Sequence, residues 1–349
     1  MTPDLGVLLY SDYTTRELVE LGELSEALGY RYFWYTDVRF ARECYLGLAA
    51  VAARTKRIHL GTGVTDPYSR HPAITAAAIA TLDEMSEGRA VLGLGTGGAG
   101  FKEMGLERKL PVAAMRETVQ IIRGLLNGES TTVEGKVVSL AGGKLTFKPF
   151  RNAVPIHFAT HGSQITKLCG QIADGVMIAN TLVPEAFDFY VRQLDEGIVK
   201  AGRSTAEVQV GLRVEACIAE DDAAAFAVMR KRVASRVLSQ YPHWDYLEEL
   251  GIRLPEAFVQ LAAEKRPGAA AEAAALFPAE AVETMVIAGN AESAARQLAR
   301  ALGPRITQVT VRPLAVAGQP VGDVIRAFAE QVMPRALKLR DEQAATATA

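Results

Sequence analysis

The chain has 349 residues, of which 49% are hydrophobic and 22% are charged, and its formal net charge is −2. This length suits one large α/β barrel or two ordinary domains with a sizeable core. The balanced charge, without a long basic run, argues against nucleic acid and membrane surfaces as partners. No apolar run reaches the roughly 20 residues that a membrane helix needs.

The cysteines Cys44, Cys169 and Cys217 are few, odd in number and far apart. This pattern argues against a disulfide framework and suits a reducing cytosol. The amino terminus lacks the basic and apolar regions of a secretory signal peptide. The sequence therefore predicts a cytoplasmic protein.

Short apolar runs alternate with segments of helical periodicity along most of the chain. The first run has the form of a buried parallel strand, and the helix after it carries leucines on one face and ends at a glycine. The eight predicted strands are Leu5–Tyr10, Tyr32–Asp37, Ile58–Val64, Arg89–Gly98, Val154–Ala159, Gly175–Ala179, Val208–Ala219 and Ile306–Arg312. The predicted helices between and after them include Thr14–Leu28, Leu46–Arg54, Ala73–Met85, 112–127, Ser163–Ile172, Pro184–Ala201 and a helix from the cap Asn290 to Leu302.

Two segments interrupt this alternation. Residues 129–150 predict a small β excursion after the fourth strand, and residues 220–288 predict an alanine-rich helical excursion after the seventh. Because no Pro/Gly/Ser-rich linker divides the chain, we predict an α/β fold with a single (β/α)8 TIM barrel over residues 1–340. Residues 341–349 are expected to be a disordered tail.

The third and fourth strands both end in glycines followed by polar loops. Loops at the carboxyl ends of parallel strands are where barrels bind ligands. Glycine lets the backbone approach a flat, large group, so we expect a flavin-like ring here. Gly93–Gly98 formally matches a dinucleotide-binding motif, but no helix starts directly after it, which disfavours that interpretation. The residues expected at the ring are Thr62, Gly63, Val64, Gly95, Thr96 and Gly97.

Three side chains are candidates for catalysis. Asp37 ends an aromatic strand, where a carboxylate caps a helix or contacts the ring, and its place at a barrel mouth favours the second role. His71 and His161 follow strands and could exchange protons near neutral pH, although a structural role is equally open. His59 and His157 are interpreted as strand packing. We expect no metal site, because the histidine spacing lacks a carboxylate in ligand register, and no nucleophile motif is present.

Six motifs in order give a family resemblance over about residues 4–335. The chain resembles the bacterial-luciferase-like oxidoreductases and is most similar to the methylenetetrahydromethanopterin reductase branch, which uses the deazaflavin coenzyme F420. The residues that carry the resemblance are Leu60–Ala73, Thr81–Arg89, Leu92–Gly97, Pro155–Ala159, Ile172–Val176 and Val286–Ser293.

The resemblance implies a barrel that holds the ring at the carboxyl ends of its strands, with Ala159 among the ring contacts. It also implies a non-prolyl cis peptide at Gly63–Val64, in a bulge that backs the ring. The phosphate site would lie at two turns, and it implies a homodimer that acts on a small molecule. The phosphate-site residues would be Gly162, Ser163, Ala179 and Asn180.

Three positions depart from that branch. The chain has Val38 after the second-strand aspartate, Gly98 near a usual acidic position and Leu8 or Leu9 in place of a first-strand glutamate. The leading hypothesis is hydride transfer between reduced F420 and a C=N or C=C bond of a small electrophile. One alternative is an FMN-dependent monooxygenase supplied by a separate reductase. Another is a non-catalytic barrel that binds a flavin.

Overall fold

The computed structural model describes residues 2–160, 162–179 and 181–347. The fold is the predicted (β/α)8 barrel, with insertions after its fourth and seventh strands. The strands are β1 (Asp4–Leu9), β2 (Tyr32–Tyr35), β3 (His59–Thr62), β4 (Ala90–Leu94), β5 (Thr131–Val133), β6 (Leu140–Gly143), β7 (Ile156–Thr160), β8 (Gly175–Ala179), β9 (Gln209–Ile218), β10 (Ile287–Gly289) and β11 (Gln308–Leu314).

Helices follow most of these strands, and several begin at side-chain caps. The Thr14 hydroxyl accepts a hydrogen bond from the Glu17 amide, while the Glu17 carboxylate accepts one from the Thr14 amide, so a capping box starts the first helix. The helices are α1 (Thr15–Ala27), α2 (Cys44–Ala52), α3 (Pro72–Met85), α4 (Pro111–Leu126), α5 (Ser163–Ile172), α6 (Pro184–Lys200), α7 (Asp222–Ser239), α8 (Asp245–Glu249), α9 (Glu256–Glu264), α10 (Ala270–Leu276), α11 (Ala279–Glu283), α12 (Ala291–Ala301), α13 (Val321–Ala327) and α14 (Met333–Ala347).

The chain divides into two compact units, and the larger comprises Pro3–Ile178 and Tyr190–Leu212. Its strands neighbour one another in the order β1, β2, β3, β4, β7, β8, and each of these pairs is parallel. All four residues of β2 are buried, as expected for a parallel strand covered on both faces. On one face, Trp34 packs in a cluster with Leu8 and Met177. Strands β5 and β6 form a separate antiparallel pair in the insertion after β4.

The smaller unit comprises the described residues of Met1–Thr2, Ala179–Phe189 and Arg213–Ala349. Its strands neighbour one another in the order β10, β9, β11. Helices α7 to α11 form the insertion after β9, and their apolar faces share one core that includes the fully buried Phe258 and Phe277. The division into two compact units does not test the single-domain organisation inferred from the sequence, which remains a prediction.

Two details differ from the sequence analysis. Strand β10 was not predicted: it has only three residues, too short for a periodic signal, and it exists because it pairs in parallel with the end of β9. The carboxyl-terminal segment was predicted to be disordered, but α14 continues through residues 341–347. Alanine has the highest helix propensity, which favours extending an existing helix through this alanine-rich segment.

Candidate functional site

The end of β3 contains a cis peptide bond between Gly63 and Val64, which confirms the expectation from the family resemblance. Gly61 pairs with Val91 on β4, and the next bridge joins Thr65 to Leu94. The first strand thus advances four residues while its partner advances three, which is the register of a one-residue bulge. The predicted bulge therefore lies at the carboxyl end of β3.

Hydrogen bonds hold this bulge from both sides. The Gly63 amide donates to the Tyr35 carbonyl on β2 at 2.7 Å. The Thr65 amide donates to the Gly93 carbonyl at 3.0 Å, and the Gly95 amide donates to the Thr65 carbonyl at 2.9 Å. Because β2 and β4 both contribute, the bulge has a defined shape in the described structure.

The glycines at these strand ends are explained in part by packing within the protein. A Cβ atom on Gly61 would lie 2.5 Å from the Trp34 ring, and one on Gly95 would lie 2.6 Å from a Val64 methyl group. Gly97 has φ +61°, and a Cβ there would lie 2.6 Å from Phe101. The glycines were expected to leave this space for a ligand, whereas the indole of Trp34 takes the space beside Gly61.

Thr62 is fully buried at the same strand end. Its hydroxyl donates to the Gly93 carbonyl at 2.7 Å and accepts from the Gly93 amide at 3.0 Å. The hydroxyl thus joins β3 to β4 as both a donor and an acceptor. Thr96, also predicted at the ring, accepts a hydrogen bond from Arg108 at 3.3 Å.

Asp37 follows β2 and has 14% of its side chain exposed. Its Oδ2 accepts a hydrogen bond from the Thr65 hydroxyl at 2.7 Å and lies 3.6 Å from Nε of Arg70. Arg70 also donates to Glu43 at 2.7 Å and lies over the Tyr45 ring. A carboxylate engaged in this way suits holding the bulge loop in position. The catalytic role of Asp37 remains a prediction.

His71 is the cap of α3, and both ring nitrogens are engaged. Nδ1 accepts from the Ala73 amide at 3.2 Å, and Nε2 lies 3.1 Å from the Ser139 carbonyl, to which it donates in the matching tautomer. The ring therefore joins the start of α3 to the insertion that carries β5 and β6. Its predicted catalytic role competes with this structural one. His161, the other candidate, lies outside the described residues, as does Asn180.

The interpretation of His59 and His157 as packing residues is confirmed. His157 is buried and tilted against the Trp34 ring at 5.6 Å between centroids, and His59 stacks on Tyr32 at 5.3 Å. Burial lowers the pKa of His157 to about 4 and also lowers that of His59. The imidazole of His157 is therefore neutral at pH 7. Within the described residues, no group of three His, Cys, Asp or Glu side chains could hold a metal ion.

Arg39 and Asp66 form an ion pair that the sequence analysis missed. Arg39 Nη1 lies 2.5 Å from Asp66 Oδ2, and its Nε donates to the Ala99 carbonyl at 2.9 Å. The other oxygen of Asp66 accepts from the amides of Tyr68 and Ser69, both at 2.9 Å. Arg39 thus joins the loops after β2, β3 and β4. An aspartate that accepts from amides two and three residues on is an Asx turn, for which Asp-Pro is the available sequence signal.

The predicted phosphate residues lie at the start of α5 and the end of β8. Gly162 is the N-cap of α5, no side chain among the described residues caps this helix, and a Cβ on Gly162 would meet nothing within 4 Å. A helix start with amides and open space suits an anion. Ser163 is the first residue of the helix, and Ala179 is the buried last residue of β8. Ala159 lies on β7 and packs against the cluster around Trp34.

Comparisons with known proteins give consistent results. The profile of the family described as luciferase-like monooxygenases matches residues 3–308. The 5,10-methylenetetrahydromethanopterin reductase of Methanopyrus kandleri is 31% identical over 94% of this chain and 97% of that protein. The corresponding reductase of Methanolobus tindarius is 40% identical, but that alignment covers 60% of this chain and only 64% of that protein.

A solved structure agrees with these alignments. The coenzyme F420 dependent tetrahydromethanopterin reductase of Methanopyrus kandleri has a TM-score of 0.84 at 28% identity, over 96% of this chain and 99% of that chain. The family profile thus covers most of the chain, and one relative aligns over nearly its full length. This chain belongs to the family of luciferase-like monooxygenases.

Proposed function

We propose that the protein is an oxidoreductase that transfers hydride from reduced coenzyme F420 to a small organic electrophile with a C=N or C=C bond. The observation that carries this proposal is the nearly full-length similarity to the Methanopyrus kandleri reductase, whose solved structure is described as coenzyme F420 dependent. The bulge at Gly63–Val64 supports it, because it lies where the family resemblance puts the support of the ring.

The residues present fit such a cofactor. The open space beside Gly162 and the start of α5 suit its phosphate, with Ser163, Ala179 and Asn180 as further candidates. The ring would lie against the backbone of Gly63 and Val64. When bound, F420 supplies two-electron hydride chemistry. The remaining ring candidates are Thr62, Gly95, Thr96, Gly97 and Ala159.

The chain's own residues would hold the loops around the ring in position. Bonds from β2 and β4 hold the bulge in one shape, and Arg39 fixes the loops around it through Asp66. A hydride acceptor must lie about 3–3.5 Å from its donor, so loops held in this way favour a reactive geometry. Asp37 would position the bulge loop through Thr65.

Binding titrations test the cofactor. We expect the protein to bind F420 more tightly than FMN, and we expect its reduced F420 complex to consume no more oxygen than free reduced cofactor does. Fluorescence titration measures the two affinities, and an oxygen electrode measures the oxygen consumption. Micromolar FMN binding without F420 binding would favour an FMN-dependent monooxygenase served by a separate reductase. Binding of either ring without turnover of any electrophile would favour a non-catalytic flavin-binding barrel.

We also propose a homodimer that works in the cytoplasm. Leu46 on α2 and Ile74 on α3 are large apolar side chains with 72% and 58% of their surface exposed. Exposed apolar residues on neighbouring helices are typical of a face that another protein covers.

All three cysteines are free and buried, which suits a reducing compartment. No helix in the described ranges is long and apolar enough to span a membrane.

Sedimentation equilibrium tests the homodimer. At micromolar concentration it should give twice the 37.5 kDa chain mass, and a monomer would refute the dimer.

A further inference from the structure

The larger unit has a cleft at the amino-terminal end of its strands, away from the bulge. The cleft has a volume of about 810 Å³ and is lined by residues 126–128, at the end of α4, and by residues 144–153, which lead from β6 to β7. We call it the amino-end cleft. Its volume lies within the range of about 300–1,000 Å³ that is typical of sites for small molecules.

One wall of the amino-end cleft is fixed by a buried ion pair. Arg151 donates to both carboxylate oxygens of Asp83, at 2.9 and 2.5 Å, and to the Ala90 carbonyl at 2.9 Å. Asp83 belongs to α3 and is fully buried, and Ala90 is the first residue of β4. A bidentate pair between arginine and a carboxylate has a defined geometry. The irregular segment that lines the cleft is therefore held in place where it approaches the barrel.

The charge of the amino-end cleft is positive. Its described lining residues include Lys144, Lys148 and Arg151 but no aspartate or glutamate. Arg151 has its carboxylate partner, whereas neither lysine side chain makes a hydrogen bond or an ion pair within the described part of the chain. Glu129, just outside the lining, accepts a hydrogen bond from the side-chain amide of Asn127. Because a cleft lined by one sign of charge concentrates ions of the opposite sign, this cleft favours an anion.

Two exposed aromatic rings lie beside these lysines. Phe147 and Phe150 have 38% and 55% of their surface exposed. They are two of the three phenylalanines that are exposed among the described residues, and both belong to the segment that lines the cleft. Grouped apolar side chains that stay exposed mark ligand-binding grooves or interfaces. Their faces and edges suit a flat ring, which packs on aromatic side chains by offset stacking or edge contact.

We propose that the amino-end cleft binds a small aromatic anion, a flat ring that carries a carboxylate or sulfonate group. The ring lies against Phe147 and Phe150, and the anionic group pairs with Lys144 and Lys148. This site is separate from the proposed hydride transfer, because the bulge at Gly63–Val64 lies at the opposite, carboxyl-terminal end of the strands. The inference therefore does not depend on the proposed function.

The probe is anilinonaphthalenesulfonate, an aromatic sulfonate that becomes fluorescent when its rings are covered. At constant ionic strength its binding to the wild-type protein should saturate. The double variant Lys144→Gln/Lys148→Gln should bind it about tenfold more weakly, a loss of about 1.4 kcal/mol. The matched control is Lys231→Gln on α7, an exposed lysine whose side chain also has no partner within the described residues. This control should bind the probe as the wild type does.

A second probe, anilinonaphthalene, has the same rings without the sulfonate. It should bind the wild type and the double variant with equal affinity, because only the anionic group meets the lysines. The proposal is overturned if the sulfonate probe does not saturate the wild type, or if its affinity is the same for the wild type and the double variant.

Two further measurements exclude other occupants of the cleft. Saturating F420 should leave the affinity for the sulfonate probe unchanged, and displacement of the probe by F420 would place it at the cofactor site and contradict the proposal. Phe150→Ser should weaken binding of the probe without changing the oligomeric state in sedimentation equilibrium. Dissociation of a dimer by this variant would mean that a second copy of the chain covers the ring, and the proposal would be wrong. Failure of the proposed function looks different: F420 would not bind, and the probe would still distinguish the wild type from the double variant.

Discussion

Replacing Glu215 by glutamine is expected to reduce the free energy of unfolding by about 3–5 kcal/mol, the usual cost of removing one partner from a buried ion pair. The substitution keeps the shape of the side chain but leaves Arg236 and Arg312, each about nine-tenths buried, without their shared carboxylate. Urea unfolding followed by circular dichroism measures the loss. The matched control is Glu330→Gln, which removes an exposed pair and should change stability by less than about 1 kcal/mol.

The difference in stability between the wild type and Glu215→Gln should depend on pH. Burial raises the pKa of Glu215, but the guanidinium groups, led by that of Arg236, outweigh burial and hold the pKa well below its ordinary value of 4.5. A depressed pKa in the folded state stabilises the fold above the unfolded pKa, and that contribution is lost as the pH falls through the folded pKa. The difference between wild type and variant should therefore be constant from pH 7 to about pH 5 and shrink below 4.5. A difference that grows on acidification would contradict this account.

The barrel could be predicted because most of its strands are short and either continuously apolar or rich in β-branched and aromatic residues. The four buried residues of β2 show why: both faces of a parallel strand are covered, so the sequence Tyr32–Tyr35 carries no polar alternation. Strand β10 has no such signal. Its three residues are a strand only because β9 lies beside them, and pairing between distant segments is not visible in a local pattern.

The candidate site also has features that could be predicted from the sequence and features that only the fold reveals. The bulge at Gly63–Val64 followed from a family resemblance, since no propensity of glycine or valine predicts a cis bond between them. Asp37 was singled out from its position after a strand, but its contacts with Thr65 and Arg70 join loops that only the fold brings together. Glu215 and Arg312 are 97 residues apart. A charge cluster assembled over that distance has no periodicity or spacing by which it could be recognised.

The sequence also does not reveal which glycine lies against the backbone of a neighbouring strand. Gly93 is such a glycine, and Gly93→Ala gives the sharpest test of its role. A Cβ on Gly93 would lie 1.9 Å from the Thr62 carbonyl oxygen, which belongs to the backbone of β3. No rotamer change relieves a clash with backbone, so β3 and β4 must separate. Separation also breaks the two hydrogen bonds between Thr62 and Gly93. We expect the free energy of unfolding to fall by at least about 3 kcal/mol, the upper end of the cost of overpacking a core. Urea unfolding measures this change.

The control for Gly93→Ala is a glycine with room beside it. Gly162 has ordinary φ of −116° and open space where a Cβ would stand, so Gly162→Ala should cost less than about 1 kcal/mol, as for a change at a helix cap. Because Thr62 leads directly into the bulge, Gly93→Ala should also weaken F420 binding at temperatures where the variant is still folded. Equal stability of the two variants would mean that β3 and β4 can separate without cost, and the close approach at Gly93 would then have no structural importance.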